Sequence, residues 1–284
     1  MIEVGGQREG AQAAASADCS GLNETTPQVF LVARPSLALD GMRGYLESVG
    51  GESWIDRRAG EAEAGDVNPA ETLIEFAGRL CYRSWEPGLN PNVTRIRTDQ
   101  RQYFENILRS AHGSVLEHAS YSFALRNCSR VFTHELVRHR AGSAFSQESL
   151  RYVRLTDMGF RVPPALVPVR DQVVSLVERL EEFQRTAADE LGIEEDGVPF
   201  HVKKEVTSAL RRLAPIGLST DILWTANIRT LRHVIEMRTA PGAEEELRMV
   251  FDRIAEIMVS EAPNLFQDFR RADDGSWVPE YRKV

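Results

Sequence analysis

The sequence predicts a helix-rich α+β fold. Helical periodicities outnumber strand-like ones, the strand-like runs do not alternate regularly with helices, and neither a GxGxxG nor a GxxxxGK(S/T) phosphate loop is present. A doubly wound parallel sheet is thereby disfavoured, and any nucleotide has to be held without a glycine-rich loop.

Residues 1–27 are rich in Gly, Ala, Ser, Gln and Glu without an apolar period. Such a segment buries too little surface to offset its ordering and reads as a mobile tail, which leaves 28–284 as one domain. Val29–Val32 is a short apolar run fit for a strand, followed by Pro35 and a helical stretch that ends near Gly50. Glycines and acids over 51–67 point to a loop. Asn68 is a good cap and Pro69 suits a first helical turn, so a helix begins there, with Leu73, Phe76, Ala77 and Leu80 at helical spacing. The Pro87–Pro91 region ends it. A second helix is predicted over Thr98–Ala111, capped by Thr98 and carrying Tyr103, Phe104, Ile107 and Leu108 on one side.

Residues 119–125 alternate small or polar with apolar side chains, as a half-buried strand does, and Ser129–Arg140 reads as helix. The segment 141–152 lacks strong helix signals. Asp171–Leu191 is amphipathic, with Val173, Leu176, Val177, Leu180, Phe183 and Ala187 on its stripe, and Val202, Val206, Ala209 and Leu213 mark another helix. Thr225–Arg238 reads as helix by length and pattern. Leu247, Val250, Phe251, Ile254, Ile257 and Met258 mark a final long one.

Composition narrows the function classes. The chain has 34 basic and 42 acidic residues, a net −8, which suits a soluble protein and argues against broad nucleic-acid binding. An RNA-binding module built on local basic residues is correspondingly disfavoured, since no RNP-type or KH signature is present. No apolar run approaches the ~18 residues of a membrane span, and the N-terminus lacks a secretory pattern, so the expectation is a cytoplasmic protein with no membrane partner. Cys19, Cys81 and Cys128 form no CxxC pair and suggest neither a disulfide framework nor a thiolate metal site.

Between Arg126 and Arg154 lie six arginines (126, 130, 138, 140, 151, 154) against Glu135 and Glu148, a local balance of +4. Guanidinium groups bind phosphate and carboxylate bidentately, so this cluster suits a phosphorylated small ligand. His134 and His139 superficially resemble a zinc-protease helix. They are five residues apart, about 140° around a helix, where HExxH requires four and about 40°, so no metal site is expected.

Arg138-His139-Arg140, then Ser149 with Arg151 and Tyr152 behind it, resembles the signature of the flavin-dependent thymidylate synthases, the ThyX family. Eight residues, 141–148, separate Arg140 from Ser149 where the pattern has seven, so positions 141–145 are left unassigned. His112-Gly113-Ser114 through Glu117-His118 resembles the family's HGxxxxEH segment, and Asn227-Ile228-Arg229 with Arg238 resembles its NxR and later arginine. A second departure is Gly242 with Glu244–Glu246, where many members carry a histidine and a HAQWE-like stretch.

The resemblance implies a small, mostly antiparallel sheet within a single catalytic domain. It implies reductive methylation of dUMP to dTMP with FAD, methylenetetrahydrofolate and NADPH, in a homotetramer. A relative that methylates UMP as well as dUMP is the alternative. Carried over position by position, Ser114, Arg138, His139, Arg140, Gln147, Asn227, Arg229 and His233 would hold FAD. Glu135, Arg138, Gln147, Glu148, Ser149, Leu150, Arg151, Arg211 and Arg238 would contact the nucleotide, with Arg238, Ser149 and His112 at the reacting centre. From the residues themselves, a fixed cation such as Arg238 would stabilise charge developing at O2 and N3 of the pyrimidine, so no cysteine nucleophile is required.

Overall fold

The computed structural model describes residues 22–63, 68–152, 155 and 159–283. In chain order these form β1 (Asn23–Glu24), β2 (Gln28–Ala33), α1 (Leu39–Val49), α2 (Glu52–Glu63), α3 (Pro69–Tyr82) and α4 (Gln100–Arg109). A 3-10 turn at Gly113–His118 leads into β3 (Ser120–Ser129), α5 (Arg130–Leu136), β4 (Ser143–Gln147) and β5 (Gly159–Phe160). Then come α6 (Arg170–Glu190), α7 (Phe200–Leu210), β6 (Ser219–Asn227), α8 (Ile228–Thr239), α9 (Glu245–Glu261), β7 (Phe269–Arg271) and β8 (Trp277–Pro279).

The expected α+β class is what the chain adopts. Its main sheet has the order β2-β3-β6-β4, antiparallel at every pairing. One face of β6 supplies Ile222, Trp224 and Ala226 to the core, where they meet Phe123 and Leu125 of β3, Phe132 of α5 and the inward faces of α8 and α9. Trp224 stands edge-on to Phe251 of α9 at 5.5 Å. A second cluster forms where Trp54 of α2 meets Trp85, with Phe76 of α3 packed against both.

Several sequence expectations change. Residues 51–67 are not a loop up to residue 63. α2 forms there because Trp54 and Ile55 are fully buried and Trp54 Nε1 and Arg58 both donate to the buried carboxylate of Glu75. Of the tail read as 1–27, Asn23–Glu24 is instead a short strand paired in parallel with Gly159–Phe160, and residues 1–21 lie outside the described residues. α4 is capped by Asp99, not Thr98, its Oδ1 accepting from Gln102 N.

Thr225–Asn227 belongs to β6 rather than to a helix, because burial alternates along this segment until Asn227 caps α8. α5 stops at Leu136 instead of Arg140. On α6, Val177 is buried but Leu176 and Phe183 of the predicted stripe are largely exposed. The Glu244–Glu246 run has a structural use: Glu244 caps α9, and the buried Glu246 carboxylate accepts from the backbone N and Oγ of Ser129, the residue that caps α5. Burial pushes the Glu246 carboxyl up from its ordinary range, while the Ser129 hydrogen bonds oppose that shift.

Candidate active site

α5 delivers Arg138, His139 and Arg140 into a tight turn. The backbone N of Arg138 bonds Glu135 O and that of His139 bonds Leu136 O, after which the chain reverses into β4 through Ser143 N to Arg140 O. Gly142 makes the reversal possible. Its φ is +65°, and a Cβ there would sit 2.3 Å from Asn227 Nδ2 and 2.5 Å from Thr230 Oγ1. Two bonds fasten this turn to the start of α8: Asn227 N donates to Gly142 O (3.0 Å) and Thr230 Oγ1 donates to Ala141 O (2.7 Å). Asn227 Oδ1 meanwhile accepts from Thr230 N and caps the helix.

The turn and α8 enclose a cavity of about 560 Å³. Arg138, His139 and Arg140 line one side, Asn227, Arg229, Thr230 and His233 another. Arg229 reaches Glu117 of the 3-10 turn at 2.6 Å. The His139 ring meets that of His233 edge-on, centroids 6.2 Å apart.

Arg238 lies five residues beyond His233 on α8 and is mostly buried, its side chain 16% exposed. It donates from Nε to His139 Nε2 at 2.8 Å and from NH1 to Glu135 Oε2 at 2.6 Å. Burial first, then the charges of Arg238 and His233, lower the His139 pKa to about 4. The imidazole is therefore neutral at physiological pH.

A second cavity, about 430 Å³, is lined by Gln147, Glu148, Ser149, Leu150 and Arg211, together with Arg130 and Arg212. Arg130 donates to Glu148 O, yet its buried Nε has no partner. Burial lowers its pKa, the charge of Glu148 opposes that and nearby Arg211 adds to it; with three arginines against one carboxylate, the lining offers donors to an anion. Arg138 and Arg140 also line a third hollow with His134, Val137 and Phe145.

The structure thus gathers Arg138, His139, Arg140, Asn227, Arg229 and His233 around one cavity, and Gln147, Glu148, Ser149, Leu150 and Arg211 around another. Gln147, expected at both ligands, lines the second cavity and donates to Thr133 Oγ1. Arg151 is exposed beside Tyr152, and its N bonds Ser149 Oγ. His112 and Ser114 line none of these three cavities; His112 stacks on Tyr82 at 5.9 Å. Of the original arginine cluster, Arg126 pairs loosely with Asp221 and Arg154 lies outside the described residues. Gly142, Thr230, Glu117, Arg130 and Arg212 were missed, although Arg130 already stood in the cluster and only its partners were invisible. Among the described residues no group of His, Cys, Asp and Glu could hold a metal, and no helix is long and apolar enough to cross a membrane.

The profile of the Thy1 family, thymidylate synthase complementing protein, matches residues 66–264, a span that contains the turn, β6 and α8. The chain belongs to this family. Within it, the flavin-dependent thymidylate synthases of Mycolicibacterium gilvum and Mycobacteroides abscessus are 35% and 37% identical to this chain over 210 residues. Those alignments span 72% of this chain and 81% of each relative. Solved structures share the fold. A UMP/dUMP methylase from Streptomyces cacaoi, bound with 5-bromo-UMP, superposes with a TM-score of 0.56 at 18% identity, covering 86% of this chain and 94% of the other. Helicobacter pylori thymidylate synthase X with FAD and dUMP gives 0.50 at 21% identity, covering 70% and 93%. The Thy1 membership agrees with the signature at Arg138–Arg140, and the unassigned positions 141–145 run through the turn into the first residues of β4.

Proposed function

We propose that the protein is a flavin-dependent thymidylate synthase that methylates C5 of dUMP to give dTMP, with methylenetetrahydrofolate as carbon donor and NADPH as reductant. The observation that carries this reading is the closure of the Arg138–Arg140 turn onto Asn227, Arg229 and His233, together with a separate arginine-lined cavity.

The residues present fit a flavin dinucleotide. Arg138, Arg140 and Arg229 offer guanidinium donors to a diphosphate where no phosphate loop exists, and Gly142 keeps the turn tight against Asn227, where any Cβ would intrude. Bound FAD would supply the hydride and redox chemistry. The remaining tasks fall to side chains. Arg211, with Arg130 beside it, would take the nucleotide phosphate, and Ser149 and Gln147 would orient the sugar and base. Arg238, preset by Glu135 and His139, would offset negative charge developing on the pyrimidine. His112, beside Tyr82, would border the folate.

Assembly as a homotetramer would cover Leu176, Phe183, Phe200 and Ile216, which are 46–68% exposed on the isolated chain. A cytoplasmic setting accords with the folate and NADPH supply.

The test is the visible spectrum of the protein after FAD is added and the excess removed, repeated with NADPH and dUMP without oxygen. A retained flavin that bleaches supports the reading; no retained flavin in folded protein refutes it. The longer spacing before Ser149 favours the second reading, a methylase that accepts UMP. Competitive turnover of UMP and dUMP decides, since a large dUMP preference eliminates it.

A further inference from the structure

The first cavity has a wall that no motif reaches. Pro279, Tyr281 and Arg282 line it opposite the arginine turn, although the family match ends at residue 264. This segment is held on α8 by a buried latch. Arg232 donates from NH1 to Leu265 O (2.6 Å) and Asp268 Oδ1 (2.8 Å), and from NH2 to Asp268 Oδ2 (2.8 Å) and Tyr281 O (3.4 Å). Both partners of the ion pair are at most 5% exposed. Asp268 also accepts from Tyr281 N through Oδ2 and from Glu280 N through its carbonyl. Upstream, Trp277 N donates to Thr239 Oγ1 and Trp277 Nε1 to Asp252. The strap from Trp277 to Arg282 is therefore fastened at both ends before any ligand arrives.

At its outer end Arg282 pairs through Nε with Glu236 of α8 at 3.2 Å, its side chain 64% exposed. Besides the buried Arg232–Asp268 pair, two exposed cations around the cavity face a carboxylate: Arg229 meets Glu117, and Arg282 meets Glu236. A carboxylate carries one charge, whereas a diphosphate presents two charges and several acceptors, so it competes well for an exposed guanidinium already held at the rim.

We propose that the C-terminal strap is part of the cofactor site of this chain, and that Arg282 exchanges Glu236 for the diphosphate of a flavin dinucleotide bound in the cavity. The inference rests on the flavin reading above. Its structural basis is the Arg232–Asp268 latch, which sets the backbone of Tyr281 and so delivers Arg282 to the same opening as Arg138 and Arg140.

Fluorescence titration of full-length apoprotein with FAD tests it, using wild type, Arg282→Ala, Arg282→Lys, Glu236→Gln and the Arg282→Ala/Glu236→Gln double variant. Thermal melts without flavin serve as the folding control. Loss of one charge-assisted contact should weaken FAD binding by about tenfold in Arg282→Ala, with Arg282→Lys in between and the flavin-free melting temperature unchanged. Glu236→Gln should tighten binding more when Arg282 is present than when it is absent, because it releases that guanidinium. An unchanged FAD affinity in Arg282→Ala, or an equal effect of Glu236→Gln in both backgrounds, overturns the proposal while leaving the flavin reading intact. Wild-type protein that binds no FAD overturns the flavin reading itself.

Discussion

Arg238 and His139 fix each other's state. The Nε–H of Arg238 points at Nε2 of His139 from 2.8 Å, and because a guanidinium only donates, that nitrogen must hold a lone pair and the ring proton must sit on Nδ1. Arg238 NH1 takes Glu135 at the same time, so one side chain ties α8 both to the last turn of α5 and to the reversal that follows it. Protonated His139 would set a donor against a donor.

This geometry sets a pH dependence. The folded pKa of His139, about 4, lies below its ordinary value of 6.5, so between these two values the unfolded chain binds more protons. Its contribution to stability is complete above pH 6.5 and is lost as the pH falls toward 4. Thermal melts across that window should show wild type losing stability more steeply than His139→Gln. Parallel pH profiles of the two proteins would contradict this.

Arg238→Ala should retain FAD and lose turnover. Removing a preorganised cation aimed at developing charge costs about 10²–10³ in kcat. The arginine lines neither of the two cavities proposed for flavin and phosphate, so flavin absorbance should persist in the gel-filtered variant. His139 should at the same time titrate closer to its ordinary range, readable by NMR, because one of the charges that lowers its pKa is gone.

Gly142→Ala should damage the site more than its size suggests. The new methyl group would meet Asn227 Nδ2 and Thr230 Oγ1 at distances no carbon tolerates, on a backbone with φ +65°. The expected loss is about 1–3 kcal/mol in stability together with weaker flavin retention. Chemical denaturation and flavin titration measure the two separately.

Cys81→Ala and Cys128→Ala, alone or combined, should keep turnover. Cys128 is fully buried against the core and burial pushes its thiol well above the ordinary range, so it supplies no thiolate at neutral pH. The Cys128 change should cost about 1 kcal/mol through the small void it leaves. Abolished turnover in a folded double variant would reinstate a cysteine nucleophile.

Local signals were legible wherever the cause is local. α3 begins at the predicted cap because Asn68 Oδ1 accepts from Glu71 N only three residues away, and α9 follows its own apolar period into the core. α2 is different: its sequence is mostly polar, and Trp54 becomes a core residue only by meeting Phe76 and Trp85. The arginine turn could be found by its motif, but its length could not, because Gly142 and Thr230 close it from opposite ends of an 88-residue separation. The wall at Pro279–Arg282 was silent in the sequence. Its position depends on Arg232 and Asp268, 36 residues apart, whose pairing no local pattern announces.

The bonds of Arg238 span 99 and 103 residues of chain. Contacts of such separation form only after the intervening loop has closed, and here that closure is the pairing of β4 with β6. The hydrogen-bonded pairing of imidazole and guanidinium thus exists only once both sides of that loop are in place, and neither half of the chain can form it alone. During synthesis the arginine turn emerges long before its partners, and its charges stay solvated until α8 follows.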